Sequence, residues 1–279
     1  MTDNMRGAGL MTLSMMAFTL NDACMKAAGT EVPLFQAIFL RGCLTTLCLY
    51  VMVRWTGGLS FNWPPQDRWL VAVRSIAEMV TAFFFINAIF NMPLANATAI
   101  LQVMPLAVTL AAALFLGEQV GWRRYLAIGI GFIGMLIIVR PGSSAFDSYS
   151  LWAIAACAFM VLRDLTTRQL SPGLPSRFVA FLTALTITAV GGLASVFLPW
   201  APVTWQALAV LAVGAGFLLT GYLFSVMAMR VGDVGAVAPF RYSILIWATV
   251  LGIIVFGEWP DLPTIVGGAL LVATGVYSF

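Results

Sequence analysis

LNDACMKAAGTEVPLFQAIFL, residues 20–40, returns 142 residues later as LRDLTTRQLSPGLPSRFVAFL, residues 162–182. Leu20, Asp22, Pro33, Phe39 and Leu40 coincide with Leu162, Asp164, Pro175, Phe181 and Leu182, and Lys26, the chain's only lysine, meets Arg168. At an offset of 140, LFLGEQ (114–119) lies over IVFGEW (254–259), so that Gly117 and Glu118 match Gly257 and Glu258. The small pair Ala127 and Gly131 aligns, again at 142, with Ala269 and Ala273. One short apolar word recurs by chance, but three matches in order at a nearly constant offset imply two copies of one unit.

Composition defines that unit. Of the 279 residues, 61% are apolar and 9% charged, with a mean hydropathy of +0.98; a soluble domain carries about 25% charge. Apolar runs between charges and Pro or Gly breaks delimit ten spans, near 7–28, 33–54, 67–90, 94–117, 123–140, 148–170, 175–198, 203–229, 235–257 and 262–279. Each approaches the roughly 20 residues that cross a ~30 Å hydrocarbon layer. The expected fold is all-α, a polytopic membrane protein of ten transmembrane helices. The offset divides it into residues 1–142 and 143–279, with five helices in each. An odd number of crossings makes the second half enter from the opposite face, so the two five-helix repeats are inverted. The connections are too short to hold a soluble catalytic domain.

The basic residues give an orientation. With a cytoplasmic N-terminus, the inner span ends collect Arg6, Arg54, Arg68, Arg123, Arg124, Arg168, Arg177 and Arg230, against Lys26 and Arg140 outside. Both termini are therefore expected in the cytoplasm, with the chain in a bacterial inner membrane. The first segment is too long for a signal peptide and lacks a small-residue cleavage site, so it reads as a retained helix. The net charge of +3 is a topology signal and implies no nucleic-acid partner. Cys24, Cys43, Cys48 and Cys157 lie in apolar runs as packing residues, without CxxC spacing or any histidine, so no disulfide, metal or cofactor is expected. Eight of the nine tryptophans sit near span ends, an interfacial belt, and Trp247 alone lies within a span.

Five plus five spans, with Arg41 in the second helix, AILQVMPLAVTLAAALFLGEQ (99–119) and APFRYSILIWATVLGIIVFGEWP (238–260), resemble the EamA branch of the drug/metabolite transporter superfamily. The resemblance covers nearly the whole chain, and its most specific part is the repeated helix ending in Gly-Glu. It implies a carrier, with aromatic amino acid exporters of the YddG type as a functional likeness and riboflavin and S-adenosylmethionine carriers of similar pattern. Pro105 departs from the repeat: Leu245 stands opposite it and the nearest proline is Pro239, so the two kinks should differ.

A charge deep in lipid costs roughly 2.5–3.5 kcal/mol on insertion scales, so such residues mark interior sites or partners. At ~1.5 Å per residue, Arg41 lies about 12 Å into the second span, Glu78 about 15 Å into the third and Arg241 about 9 Å into the ninth. Arg74 and Glu78, four residues apart, can pair locally. Arg41, Arg74, Arg163 and Arg241 outnumber Glu78 and Asp164, an imbalance that an anionic substrate group would correct. A zwitterionic amino acid fits, with Arg41 or Arg241 facing its carboxylate and Glu78 its ammonium. Asn87, Gln102, Tyr222, Tyr242 and Trp247 are further candidates for hydrogen bonding or stacking on the substrate. The competing reading is that the arginines snorkel to the interface and the polar groups join helices.

Asp22 with Lys26, and Asp164 with Arg168, share an i to i+4 spacing with the carboxylate first. They read either as helix-end pairs or as two symmetry-related latches for gating or coupling. Glu118 and Glu258 read first as helix punctuation. The small residues of the fifth and tenth spans allow close approach at an outer edge or in a homodimer. The expected function is secondary export of small organic metabolites, above all amino acids including aromatic ones, by alternating access. A cofactor-like solute, riboflavin or S-adenosylmethionine, is the alternative cargo. An intramembrane lipid-modifying enzyme would need a nucleophile and base in reach, and no histidine is present. No GxxxxGK[ST] motif is present to power transport with ATP.

Overall fold

The computed structural model describes residues 2–55, 63–143, 146–171, 174–198 and 200–278. Met1 and Phe279, the outermost residues of the two expected halves, lie outside the described residues. The helices are α1 (Asp3–Ala28), α2 (Leu34–Trp55), α3 (Pro65–Asn91), α4 (Leu94–Leu101), α5 (Met104–Phe115), α6 (Trp122–Val139), α7 (Tyr149–Arg168) and α8 (Ser176–Val196). They continue with α9 (Trp205–Val231), α10 (Val234–Val237), a 3-10 helix (Ala238–Ser243), α11 (Ile244–Phe256) and α12 (Leu262–Ser278). Among the described residues, eight helical spans are long and apolar enough to cross a membrane, with α4–α5 and α10–α11 each counting as one. The 17-residue α12 and the 26-residue, more polar α1 complete ten crossings.

Local chemistry accounts for the span ends. Thr2 and Thr204 cap α1 and α9 through side-chain oxygens that accept from Met5 N and Ala207 N at 3.4 and 3.1 Å. Pro33, Pro64, Pro93 and Pro175 stand just before α2, α3, α4 and α8, where a missing N–H costs no helical bond. The repeated Gly-Glu is a helix stop. Gly117 and Gly257 take left-handed φ of 69° and 67° after α5 and α11, a conformation a Cβ would strain. The following Glu118 and Glu258 amides then reach back to the Ala112 and Gly252 carbonyls at 3.3 and 2.9 Å.

The fourth and ninth spans are both broken, in different ways. Pro105 offers no N–H to the Leu101 carbonyl, and α4 ends at Leu101 before α5 resumes at Met104. Around Pro239 the ninth span instead tightens into the 3-10 stretch between α10 and α11. The kinks differ as the unmatched proline predicts.

Every dominant helix pairing joins one half to the other. α1 lies along α9 and α3 along α7, pairings that the repeat exchanges, while α2 meets α8 and α6 meets α12 on the pseudo-two-fold axis. The α6–α12 seam is close because it is built on glycine: a Cβ on Gly134 would stand 2.9 Å from the Gly267 carbonyl oxygen, and one on Gly267 2.5 Å from that of Gly134. Ala127 and Gly131 face this interior, but Ala269 and Ala273 are exposed, and Gly267 takes their place. Gly131, Gly134 and Gly267 are thus the small residues that the seam uses. Cys43 and Cys48 are also exposed on α2 rather than packed in the core. Trp55, Trp69, Trp122, Trp205 and Trp259 are largely exposed at span ends, as an interfacial belt requires.

Candidate functional site

A central cavity of about 310 Å³ lies between the halves, lined from α1, α2, α3, α4, α5, α7, α9, the 3-10 helix and α11. Two broken spans open it: the interruption after α4 turns Gln102 inward, and the 3-10 stretch turns Arg241 inward. Its charged rim comprises Asp22, Arg41, Glu78, Arg163 and Arg241. Phe18, Phe85 and Tyr222 supply aromatic walls, with the Phe18 and Tyr222 rings edge-to-face at 5.3 Å.

These charges are unequally satisfied. Arg163 Nη1 donates to both oxygens of Glu78, at 3.0 and 3.3 Å, while its Nε donates to Asp164 Oδ1 at 2.7 Å. One guanidinium therefore bridges two carboxylates in a mostly buried cluster. Arg41 Nη1 donates to Asn21 Oδ1 at 3.0 Å, and Asn21 Nδ2 donates to Asp22 Oδ1 at 2.9 Å. Asn21 so stands between Arg41 and Asp22, and Asp22 has no ion pair among the described residues. The Arg241 side chain likewise makes neither a hydrogen bond nor an ion pair with a described residue. The Thr98 hydroxyl, on the cavity wall, is buried without a hydrogen-bond partner.

Of the residues expected to bind substrate, Arg41, Glu78, Gln102, Tyr222 and Arg241 line this cavity. Asn87 does not; it accepts from Asn91 Nδ2 through its backbone carbonyl at 2.8 Å and its side chain at 3.3 Å. Tyr242, on the 3-10 helix, is buried against α12, where its hydroxyl fills the space above Gly275. Trp247 packs against the cluster of Met11 and Met15. Glu78 is held by Arg163, whereas Asp22 faces the cavity without an ion pair to a described residue. Arg74 does not pair with Glu78; it donates to the Thr167 and Thr183 hydroxyls at 2.9 and 2.6 Å. The phenylalanine run divides as helix geometry demands: Phe85 faces the cavity, Phe83 stacks on Phe35, and Phe84 stacks on Phe159.

The two i to i+4 pairs do not form. Lys26 Nζ meets Glu258 Oε1 at 2.6 Å while Asp22 faces the cavity, and Arg168 Nη1 meets Glu118 Oε1 at 2.9 Å while Asp164 bonds Arg163. A buried lysine gains more from a carboxylate brought by another helix than from one already turned to the cavity. Asn21 and Thr98 escaped the sequence reading because neutral side chains give no charge signal. Asn21 was findable, since it adjoins Asp22 in the repeat and aligns at 142 with Arg163.

Two inverted halves around a charged, aromatic-walled cavity between the helices define a carrier of small solutes. The chain belongs to the EamA-like transporter family, which it matches twice, over residues 5–140 and 147–278, and so to the drug/metabolite transporter superfamily. It is 30% identical over 277 residues to the pseudopaline exporter CntI of Pseudomonas aeruginosa, covering 95% of this chain and 93% of that one. The S-adenosylmethionine uptake transporter of Rickettsia bellii is 24% identical over 273 residues, covering 97% and 92%. A riboflavin transporter of Vibrio cholerae is 32% identical over 186 residues, covering 66% and 61%. A crystal structure with 21% identity superposes with a TM-score of 0.64 over 96% of this chain and 95% of that one, a likeness of fold.

Proposed function

We propose that this protein is a secondary exporter of small zwitterionic metabolites of the amino-acid type, aromatic ones included. The observation that carries the reading is that three charges lining the cavity, Asp22, Arg41 and Arg241, make no ion pair with a described residue. Leaving them uncompensated in the bilayer is costly, and a bound zwitterion offsets charges of both signs: Arg241 or Arg41 receives the carboxylate and Asp22 the ammonium. The buried Thr98 hydroxyl and Gln102 supply further polar contacts, and Phe18, Phe85 and Tyr222 an apolar body suited to a flat side chain. Export is supported by the named direction of the pseudopaline relative. Exposed arginines at Arg54, Arg68, Arg123, Arg124 and Arg230, all at the face that carries both termini, support a cytoplasmic location for that face in a bacterial inner membrane. The halves 1–142 and 143–279 are the two repeats that exchange conformation as the cavity opens to one face and then the other. The cavity-lining charges and aromatic rings named here all come from a single chain.

Substrate counterflow in proteoliposomes tests this. Labelled amino acids, aromatic ones among them, are expected to exchange, and Arg241→Gln to raise KM by at least about tenfold, the loss of one charge-assisted hydrogen bond. A second reading, transport of a cofactor-like solute, is favoured by the S-adenosylmethionine and riboflavin relatives. Exchange of either cofactor with no exchange of any amino acid would establish it in place of the first.

A further inference from the structure

Beyond the cavity, two ion pairs stand at opposite faces of the membrane: Lys26–Glu258 at the face opposite the termini, and Arg168–Glu118 at the face of the termini. The repeat relates them, because Lys26 aligns with Arg168 at 142 and Glu118 with Glu258 at 140. Each pair joins the end of the first span of one half to the Gly-Glu stop of the broken span of the other. The two therefore bridge the halves at the points that must separate if the cavity is to open to one side and then the other.

The pairs are not equally complete. Lys26 also donates to the Met92 carbonyl at 2.6 Å and lies 5.3 Å from the Phe256 ring centre, while Glu258 Oε2 accepts from Leu94 N at 2.9 Å. The linker between α3 and α4 is thus caught between the two charges. Their side chains are 11% and 22% exposed, against 46% and 49% for Arg168 and Glu118. Residues 234–236 correspond to residues 92–94, but neither Arg168 nor Glu118 hydrogen-bonds to them among the described residues. Asp233 there bonds Asn4 instead, through side chain and backbone, at 3.2 and 2.9 Å. The face opposite the termini also carries the Arg140–Asp261 pair, and the face of the termini the buried Asp67, which accepts from Ser171 N and Oγ at 3.2 and 3.1 Å; of the two repeat-related pairs, only Lys26–Glu258 catches a helix linker.

We propose that Lys26–Glu258 and Arg168–Glu118 are the two gates of this carrier and that they release in alternation, each catching its own helix linker when closed. The linkage to the cavity is mechanical. Glu258 holds the first residue of α4, and α4 carries Thr98 on the cavity wall and ends beside Gln102. Releasing Lys26 from Glu258 frees α4 to pivot about the break that Pro105 enforces, while the equivalent ninth-span segment closes on Arg168 and Glu118. Both gates open at once would make a pore, so their free energies must oppose one another.

The test needs no knowledge of the substrate, so its failure is separate from a failure of the amino-acid reading. Gln102→Cys, in a protein whose four native cysteines are changed to alanine, reports cavity access to a membrane-impermeant maleimide added from either face. Glu258→Gln is expected to raise the labelling rate from the face opposite the termini by about tenfold and to lower it from the other. Arg168→Gln, at a more exposed site, is expected to do the reverse. The exchange Lys26→Glu with Glu258→Lys is expected to bring the rates back towards those of the parent. Rates unchanged in both single variants, or moved in the same direction by both, would overturn the proposal, as would an exchange that folds and leaves the gate open.

Discussion

Asn21 separates two groups that would otherwise neutralise each other, and its counterpart in the repeat, Arg163, does the opposite. At one place in the two-fold an amide keeps Arg41 and Asp22 apart; at the equivalent place a guanidinium gathers Glu78 and Asp164. The pseudo-symmetric scaffold thereby acquires a polar direction, which an asymmetric ligand requires. Glu78, on this account, is structural. With the Arg163 and Glu78 side chains 17% and 16% exposed, Arg163→Met should lower unfolding free energy in detergent by about 3 kcal/mol, because it strands two carboxylates. Arg163→Met with Glu78→Met should recover most of that loss, as read by thermal unfolding; a double variant no more stable than the single would make Glu78 a site residue after all. The charges themselves were legible in the sequence, since each interrupts an apolar run. Their partners were not, because pairing across helices depends on rotation about each axis, and at this point local spacing pointed to Asp22–Lys26 and Arg74–Glu78, which the folded chain does not use.

At the scale of helices, the span limits follow from proline, threonine and Gly-Glu signals that stand in the sequence: α8 runs over Ser176–Val196 where the apolar run spans 175–198. The break in the fourth span was equally legible, since Pro105 removes the donor to Leu101. What could not be read is which face of each helix meets protein, because in lipid the outer face is as apolar as the inner one. Ala269 and Ala273 illustrate it: they align with Ala127 and Gly131, yet they face outward, and Gly267 forms the seam with Gly134. Gly267→Ala should therefore destabilise the protein by about 1–3 kcal/mol, the cost of forcing a methyl against the Gly134 carbonyl and Ile138. Gly129→Ala on the same helix as Gly134 meets nothing within 4 Å and should be neutral or slightly stabilising, by up to about 1 kcal/mol. Comparison of the two melting curves checks the seam directly, and equal shifts would remove it.

At the scale of the whole molecule, the repeat visible at 142 residues shows that there are two halves but not that they interleave. Two five-helix bundles joined along one face would show the same repeat. Instead α1 packs on α9, α3 on α7, α2 on α8 and α6 on α12, so the principal contacts of every unbroken span lie in the other half. A membrane helix is held in place by packing and polar contacts with its neighbours, since lipid satisfies its apolar surface equally well. A half without its twin retains individually inserted helices and loses the pairings that order them. Expressed alone, residues 1–142 or 143–279 should therefore yield no monodisperse species in detergent. Coexpressed, a tagged first half should retain the untagged second half through affinity purification and size exclusion, at the elution volume of the intact chain. Inversion fixes this outcome further: two copies of the first half inserted in one orientation present α1 with another α1-type half facing the wrong way, and cannot substitute for the heterologous pair. A stable, monodisperse single half would mean that the contacts within each repeat suffice, and that the halves are domains in their own right rather than two strands of one bundle.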